Sequence, residues 1–337
     1  MKRLVLPVAS SLLVACAGAQ QAAEEPVQTR SPLVLENIVL TETDRQGGQP
    51  LWELKARRAE YSRDRSTALV REVQGVFFKN GRKVLTVRAP RGEVRIASRE
   101  IRLFEGVTMS SPIRRTDLSA TEVQWFPDRD RLEGSGPIVI DQPQEKMRVR
   151  GDRLLGNLAS QTYTLDGRVQ ADSEIQRARL NAPHVVWDLP ANRIEAERGV
   201  IARSTEQGIV LTGASAAWDI GERRVMARSG GGAAVVAAQE STASRVSAET
   251  IAWNIPAQSL TGEGNARGSL NGGRTRYEAE RAVYNLADQK LLASDARYWQ
   301  ADRNLTVESA RIAADLRRNS VRADGRVVSR MRPQAQQ

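Results

Sequence analysis

A recurring unit constrains this chain more than any single residue does. A small residue, followed three positions on by an apolar one and five positions on by an aromatic or apolar one, recurs nine times between Ala56 and Ser309. The copies start at Ala56, Ala89, Ala120, Gly151, Ala182, Gly213, Ala248, Ala279 and Ser309, so the steps are 33, 31, 31, 31, 31, 35, 31 and 30 residues. A period this regular means one supersecondary unit stacked on copies of itself.

Within a unit the apolar positions alternate with period two, as in Leu85-Thr-Val87-Arg-Ala89 and Ile101-Arg-Leu103. That is the pattern of a half-buried strand. Each unit has room for two strands of about eight to ten residues plus their turns. The second strand ends near a glycine, at Gly106, Gly136, Gly167, Gly199, Gly231, Gly264 and Gly325. Leu180 and Ala182 share one phase, whereas Val185 and Trp187 belong to the other, which predicts a bulge between them that returns both sets to one face. Turn chemistry agrees: Lys79-Asn80-Gly81-Arg82 fits a hairpin, and Pro127-Asp128-Arg129-Asp130 and Asp188-Leu189-Pro190-Ala191-Asn192 fall where loops must. The expectation is an all-β protein of roughly eighteen strands in two facing sheets, with nine strands per sheet stacked over about 40 Å.

The N-terminus carries a second signal. Lys2 and Arg3 precede an apolar stretch from Leu4 to Val14, and Leu13-Val14-Ala15-Cys16 has the form of a lipobox. Residues 1–16 are expected to be a lipoprotein signal with Cys16 acylated, since a run of about 12 residues falls short of the roughly 20 of a spanning helix. Residues 17–33 are expected to be a flexible tether, 34–330 the repeat body and 331–337 a disordered tail. Cys16 is the only cysteine, so disulfides and cysteine metal clusters are excluded.

The net charge is +10, and only six of the fifty basic residues are lysine. Export and the dispersal of the arginines over outward strand positions argue against nucleic acid as a partner. Scattered arginine solvates a sheet face and blunts its edges, and its forked donors also suit phosphate-bearing lipid headgroups. Catalytic constellations are lacking. His184 is the only histidine, Asp128 and Asp130 sit in a turn, and Gly262-Glu-Gly264-Asn-Ala-Arg-Gly268 has the wrong spacing for a phosphate loop. Gly230-Gly231-Gly232 falls in the 35-residue step and is expected to be a widened loop. Trp125, Trp187, Trp218 and Trp253 share one repeat position and are expected to form a stacked interior column.

Three stretches carry a family resemblance: Leu51-Trp-Glu-Leu-Lys-Ala56-Arg-Arg-Ala59-Glu-Tyr61, Val84-Leu-Thr-Val-Arg-Ala-Pro-Arg-Gly92 and Arg99-Glu-Ile-Arg-Leu-Phe-Glu-Gly106-Val. In their order they resemble the LptC family of lipopolysaccharide export proteins and its OstA-like relatives, most closely over residues 34–140. The resemblance implies an elongated, partly open β-jellyroll whose apolar interior takes the acyl chains of lipopolysaccharide. It also implies partners: lipopolysaccharide itself, an inner-membrane ABC transporter whose permeases deliver it, and an LptA-like jellyroll joined by edge-strand addition. The implied protein is not an enzyme, has no cofactor or metal, and sits in the periplasm as a membrane-anchored lipoprotein, with the inner membrane favoured. Two departures are the chain's length and the lipobox in place of a spanning helix, which opens the question of which membrane holds the anchor.

The inward positions expected to line a lipid groove are Leu54, Leu85, Val87, Val94, Ile101, Leu103, Val123, Trp125, Leu132, Val185, Trp187, Ile194, Ile251, Trp253 and Leu260. A β-solenoid filled by its own side chains has the same alternation, so an envelope structural lipoprotein is the rival reading. A polysaccharide-cleaving enzyme would need carboxylates clustered on one flank, and they are spread through all repeats.

Overall fold

A computed structural model of the chain describes residues 33–43, 48–79, 81–112 and 115–331. Cys16, nearly all of the expected tether, Asn80 of the expected hairpin and residues 332–337 lie outside the described residues. The last described strand, Val328–Met331, reaches the first residue of the expected tail.

The described residues form one antiparallel sheet of 24 strand segments in which neighbours in sequence are neighbours in space. Five strands are broken in two, as in Arg193–Glu197 and Val200–Ser204, which leaves nineteen strands running up and down. Each of them bends near its middle. In Ala178–Asp188 the residues Ala178, Leu180 and Ala182 are buried, the register against Thr162–Ser173 shifts between Ala182 and His184, and Val185 and Trp187 are buried beyond the shift. The bulge keeps one face inward on both arms and folds the sheet over along a line of such corners. We call the arm that holds Trp52, Phe77 and Ala178–Ala182 wall A, and the arm that holds Trp125, Val185 and Trp187 wall B.

The all-β architecture matches the sequence expectation, and the strand arrangement differs from it. Strands do not alternate between two sheets; every strand contributes to both walls. Nineteen strands at about 4.8 Å give a body of roughly 85–90 Å, about twice the expected length. The glycines read as strand ends are the bends: Gly106, Gly136, Gly167, Gly199, Gly264 and Gly325 all have positive φ at a corner. A strand that stops and a strand that turns a corner need the same residue there, one that tolerates the left-handed region. Gly230-Gly231-Gly232 is a corner of the same kind, widened between Arg224–Arg228 and Val235–Gln239.

Two of these corners make a test. At Gly167 (φ 106°) an added Cβ would stand 2.4 Å from an Asp152 carboxylate oxygen, whereas at Gly106 (φ 95°) it would meet nothing within 4 Å. The Asp152 carboxylate is held there by the Arg168 backbone N–H at 3.1 Å, which also draws its pKa below the usual carboxylate range. Gly106→Ala is therefore expected to cost about 1 kcal/mol, from backbone strain alone. Gly167→Val should cost roughly 2–4 kcal/mol, adding the clash to the strain. Urea denaturation midpoints in the reverse order would refute this account of the corners.

On the inner face of wall B, cross-strand neighbours form an unbroken apolar row. It passes from Val94 through Ile101, Trp125, Leu132, Gly156 and Tyr163 to Trp187, then through Ile194, Trp218, Val225 and Trp253 to Leu260. From Trp187 onward the tryptophans alternate with aliphatic residues and lie two strands apart, about 9.6 Å, so they are interleaved rather than stacked on each other. Trp187, Trp218 and Trp253 are fully buried. Each large apolar side chain so removed from water contributes about 1.5–3 kcal/mol before conformational entropy is counted.

Candidate functional site

Opposite the corners the fold is open, and two rims of turns face each other across the gap. Across it, Phe77 and Gln176 each reach a partner three strands further along the chain. Phe77 of wall A meets Trp125 of wall B edge to face, with ring centroids 4.3 Å apart. Gln176, in the turn after Thr162–Ser173, reaches the turn after Ser215–Asp219.

In the middle of the body this gap is bolted. The Gln176 side chain donates from Nε2 to the Ile220 carbonyl at 2.7 Å and accepts at Oε1 from the Trp218 indole N–H at 2.8 Å. One repeat later Gln207 does the same, to the Ile255 carbonyl at 2.9 Å and from Trp253 Nε1 at 3.0 Å. Each glutamine is aimed by a serine three residues earlier. The Gln176 backbone N–H donates to Ser173 Oγ at 3.2 Å, and that of Gln207 to Ser204 Oγ at 2.8 Å. Gln300 and Asn319 bridge the rims again near the C-terminal end.

The latch stops at the preceding repeat. Where Ser173-x-x-Gln176 and Ser204-x-x-Gln207 stand, the position 31 residues upstream reads Gln142-x-x-Glu145. Trp187 Nε1 and Gln142 Oε1 are there both buried without a hydrogen-bond partner among the described residues. On the N-terminal side of that point the gap opens into an apolar cleft of about 440 Å³. Trp52, Phe77 and Leu85 line it from wall A, and Trp125, Leu158, Tyr163 and Leu189 from wall B. Lys79 and Asp130 stand at its polar edge. Such a space, apolar inside with few charges at the lip, can hold a hydrocarbon chain.

The positions expected to face inward divide between core and cleft. Leu54, Val87, Val94, Ile101, Leu103, Val123, Leu132, Val185, Trp187, Ile194, Ile251, Trp253 and Leu260 are all buried in the hydrophobic core. Leu85 and Trp125 are partly buried and line the cleft. Sequence reasoning missed Trp52, Phe77, Leu158 and Leu189, and missed both glutamines. The Ser-x-x-Gln signature was available, because it repeats at the same 31-residue step as the main motif.

His184 lies at a corner with Nδ1 2.8 Å from Asp166 Oδ1, and Arg198 is 3.7 Å from the same oxygen. This group pins the bend between strands. Among the described residues no three His, Cys, Asp or Glu side chains gather where a metal could sit, and no helix is long and apolar enough to cross a membrane.

A folded-over antiparallel sheet with an apolar interior and a side opening defines an elongated β-jellyroll with a lipid-sized cleft. The family model described as "Lipopolysaccharide-assembly, LptC-related" matches residues 4–174, about half of the sequence. The chain belongs to that family, and its role lies in lipopolysaccharide transport. No curated protein matches it. Among solved structures it is similar to LptH, the LptA homologous periplasmic component of the lipopolysaccharide transport device of Pseudomonas aeruginosa. Identity there is 12%, over 45% of this chain and 83% of that one, with a TM-score of 0.20. A second likeness is to KlHsv2 with loop 6CD replaced by a Gly-Ser linker, at 10% identity over 67% and 92% of the two chains and a TM-score of 0.15.

Proposed function

We propose that the protein is a non-enzymatic scaffold that takes lipopolysaccharide acyl chains into the cleft between Phe77 and Leu189 and passes them to a similar jellyroll. The carrying observation is the apolar cleft, which lies within or beside the segment that matches the family. Acyl transfer there needs no chemistry, because each buried methylene is worth about 0.8 kcal/mol. Delivery by an inner-membrane ABC transporter and hand-over by strand addition at a sheet edge complete the reading, with Cys16 as the lipid anchor that holds the protein at the periplasmic face of a membrane.

The rival, a filled β-solenoid, draws support from a specific part of the molecule. The interior around Trp218 and Trp253 is packed by its own side chains and bolted by Gln176 and Gln207. We assign that part to a spine and the cleft to the lipid. A photo-crosslinking residue at Leu85 is expected to trap lipopolysaccharide, and one at Ile194 or at the outward Arg102 is expected to trap none. Adducts from Arg102 alone, or lipid-free protein by mass spectrometry of extracts, would remove the lipid role and leave the filled solenoid.

A further inference from the structure

We propose a second binding site, independent of the cleft: a groove on the outer face of wall A, near the C-terminal end, that takes phosphate-bearing lipid headgroups. Twist gives this face two concavities of similar size, about 830 Å³ and about 980 Å³. Their charges differ.

The smaller groove is nearly neutral. Five basic side chains line it with four acidic ones, and Arg148 pairs with Asp141, Arg179 with Asp172, and Arg150 with Asp172 at 3.0 Å. The larger groove is lined by six arginines and two glutamates. Those glutamates are taken, Glu278 by Arg267 at 3.7 Å and Glu308 by Arg297 at 2.8 Å. Arg245, Arg274, Arg276 and Arg330 have no carboxylate within 4.0 Å among the described residues.

Three of the four share a single cross-strand row. Arg245 stands opposite Ser269, Ser269 opposite Arg276, Arg276 opposite Trp299, Trp299 opposite Thr306 and Thr306 opposite Arg330. No acid interrupts it. The Trp299 ring is half-buried in the same row, with the Arg297 guanidinium 5.8 Å from its centroid. The smaller groove has nearly as many acids as bases, and this one does not. Here guanidinium forks, which match phosphate oxygens in pairs, flank an indole of the kind that settles at headgroup depth. Phosphate carried on a lipid fits that combination better than free phosphate does, because a soluble anion has no use for the indole.

The test is co-sedimentation of the full chain with vesicles of phosphatidylglycerol and, in parallel, of phosphatidylcholine. The phosphatidylcholine value sets the contribution of the apolar N-terminal stretch. The expected result is a preference for phosphatidylglycerol that weakens with salt and falls about 30-fold in the Arg245→Ser/Arg276→Ser double variant. Arg148→Ser/Arg179→Ser removes the same charge from the smaller groove and should keep the preference. Equal losses in both double variants would reduce the effect to bulk charge and overturn the site. Inorganic pyrophosphate binding that depends on Arg245 and Arg276, with no preference between vesicles, would overturn the lipid source. Loss of the cleft crosslinks would leave this result unchanged, so the two sites fail separately.

Discussion

Trp218→Ala is expected to remove about 3–5 kcal/mol of stability from the middle of the body, whereas Trp125→Ala costs about 1–2 kcal/mol and acts on lipid instead. The two residues occupy the same position of their repeats, so sequence alone predicts one outcome for both. Trp218 is fully buried, between Ile194 and Val225 in the wall B row, and its indole N–H is fixed by Gln176. Truncation leaves a cavity and strips a buried glutamine oxygen of its donor. Trp125 is only partly buried, borders open space and donates no hydrogen bond from its indole. Its removal mainly enlarges the cleft and takes away the ring that meets Phe77. Hydrogen exchange should speed up over Arg193–Asp219 in the first variant only, and crosslinking of lipopolysaccharide from Leu85 should fall in the second only. Equal destabilisation by the two would mean that the cleft is core.

Gln176→Leu/Gln207→Leu is expected to let lipid into the sealed section. Leucine cannot donate to the Ile220 and Ile255 carbonyls or accept from Trp218 and Trp253. Four buried polar groups then lose partners, at roughly 1–3 kcal/mol for each group left unsatisfied. A crosslinker at Val246, which is buried in the wild type, should then trap lipopolysaccharide. The complementary change is Glu145→Gln, which supplies the residue that the two latched repeats have. It should satisfy the idle Trp187 N–H, raise stability by about 1 kcal/mol and lower crosslinking from Leu85. Unchanged crosslinking in both variants would show that the glutamines hold the walls without controlling access.

The repeat, the inward set and the bulge beside Ala182 were legible because strand periodicity is local, and a phase slip such as Leu180/Ala182 against Val185/Trp187 has one physical remedy. The corner at Gly167 was visible but misread, since positive φ serves an end and a bend alike. The division of the interior was out of reach. Gln176 and Ile220 are 44 residues apart, Gln207 and Ile255 48 apart, and the twist that brings them together leaves no trace in either strand. Trp125 and Trp187 share one repeat position, and what faces Trp125 across the gap, Phe77, is remote in sequence. A Ser-x-x-Gln search would have marked the glutamines without giving their partners.

The three-strand stagger across the gap limits how such a chain can change its size. Asp219 separates Trp218 from Ile220, and Asn254 separates Trp253 from Ile255, so the two receptors for a glutamine are interchangeable. Excising one whole hairpin between them would bring Gln176 to Trp253 and Ile255 and keep the bolt shut. Excising a single strand would send that glutamine to the wrong side of the ribbon. A change of length that preserves these two bolts must therefore add or remove an even number of strands.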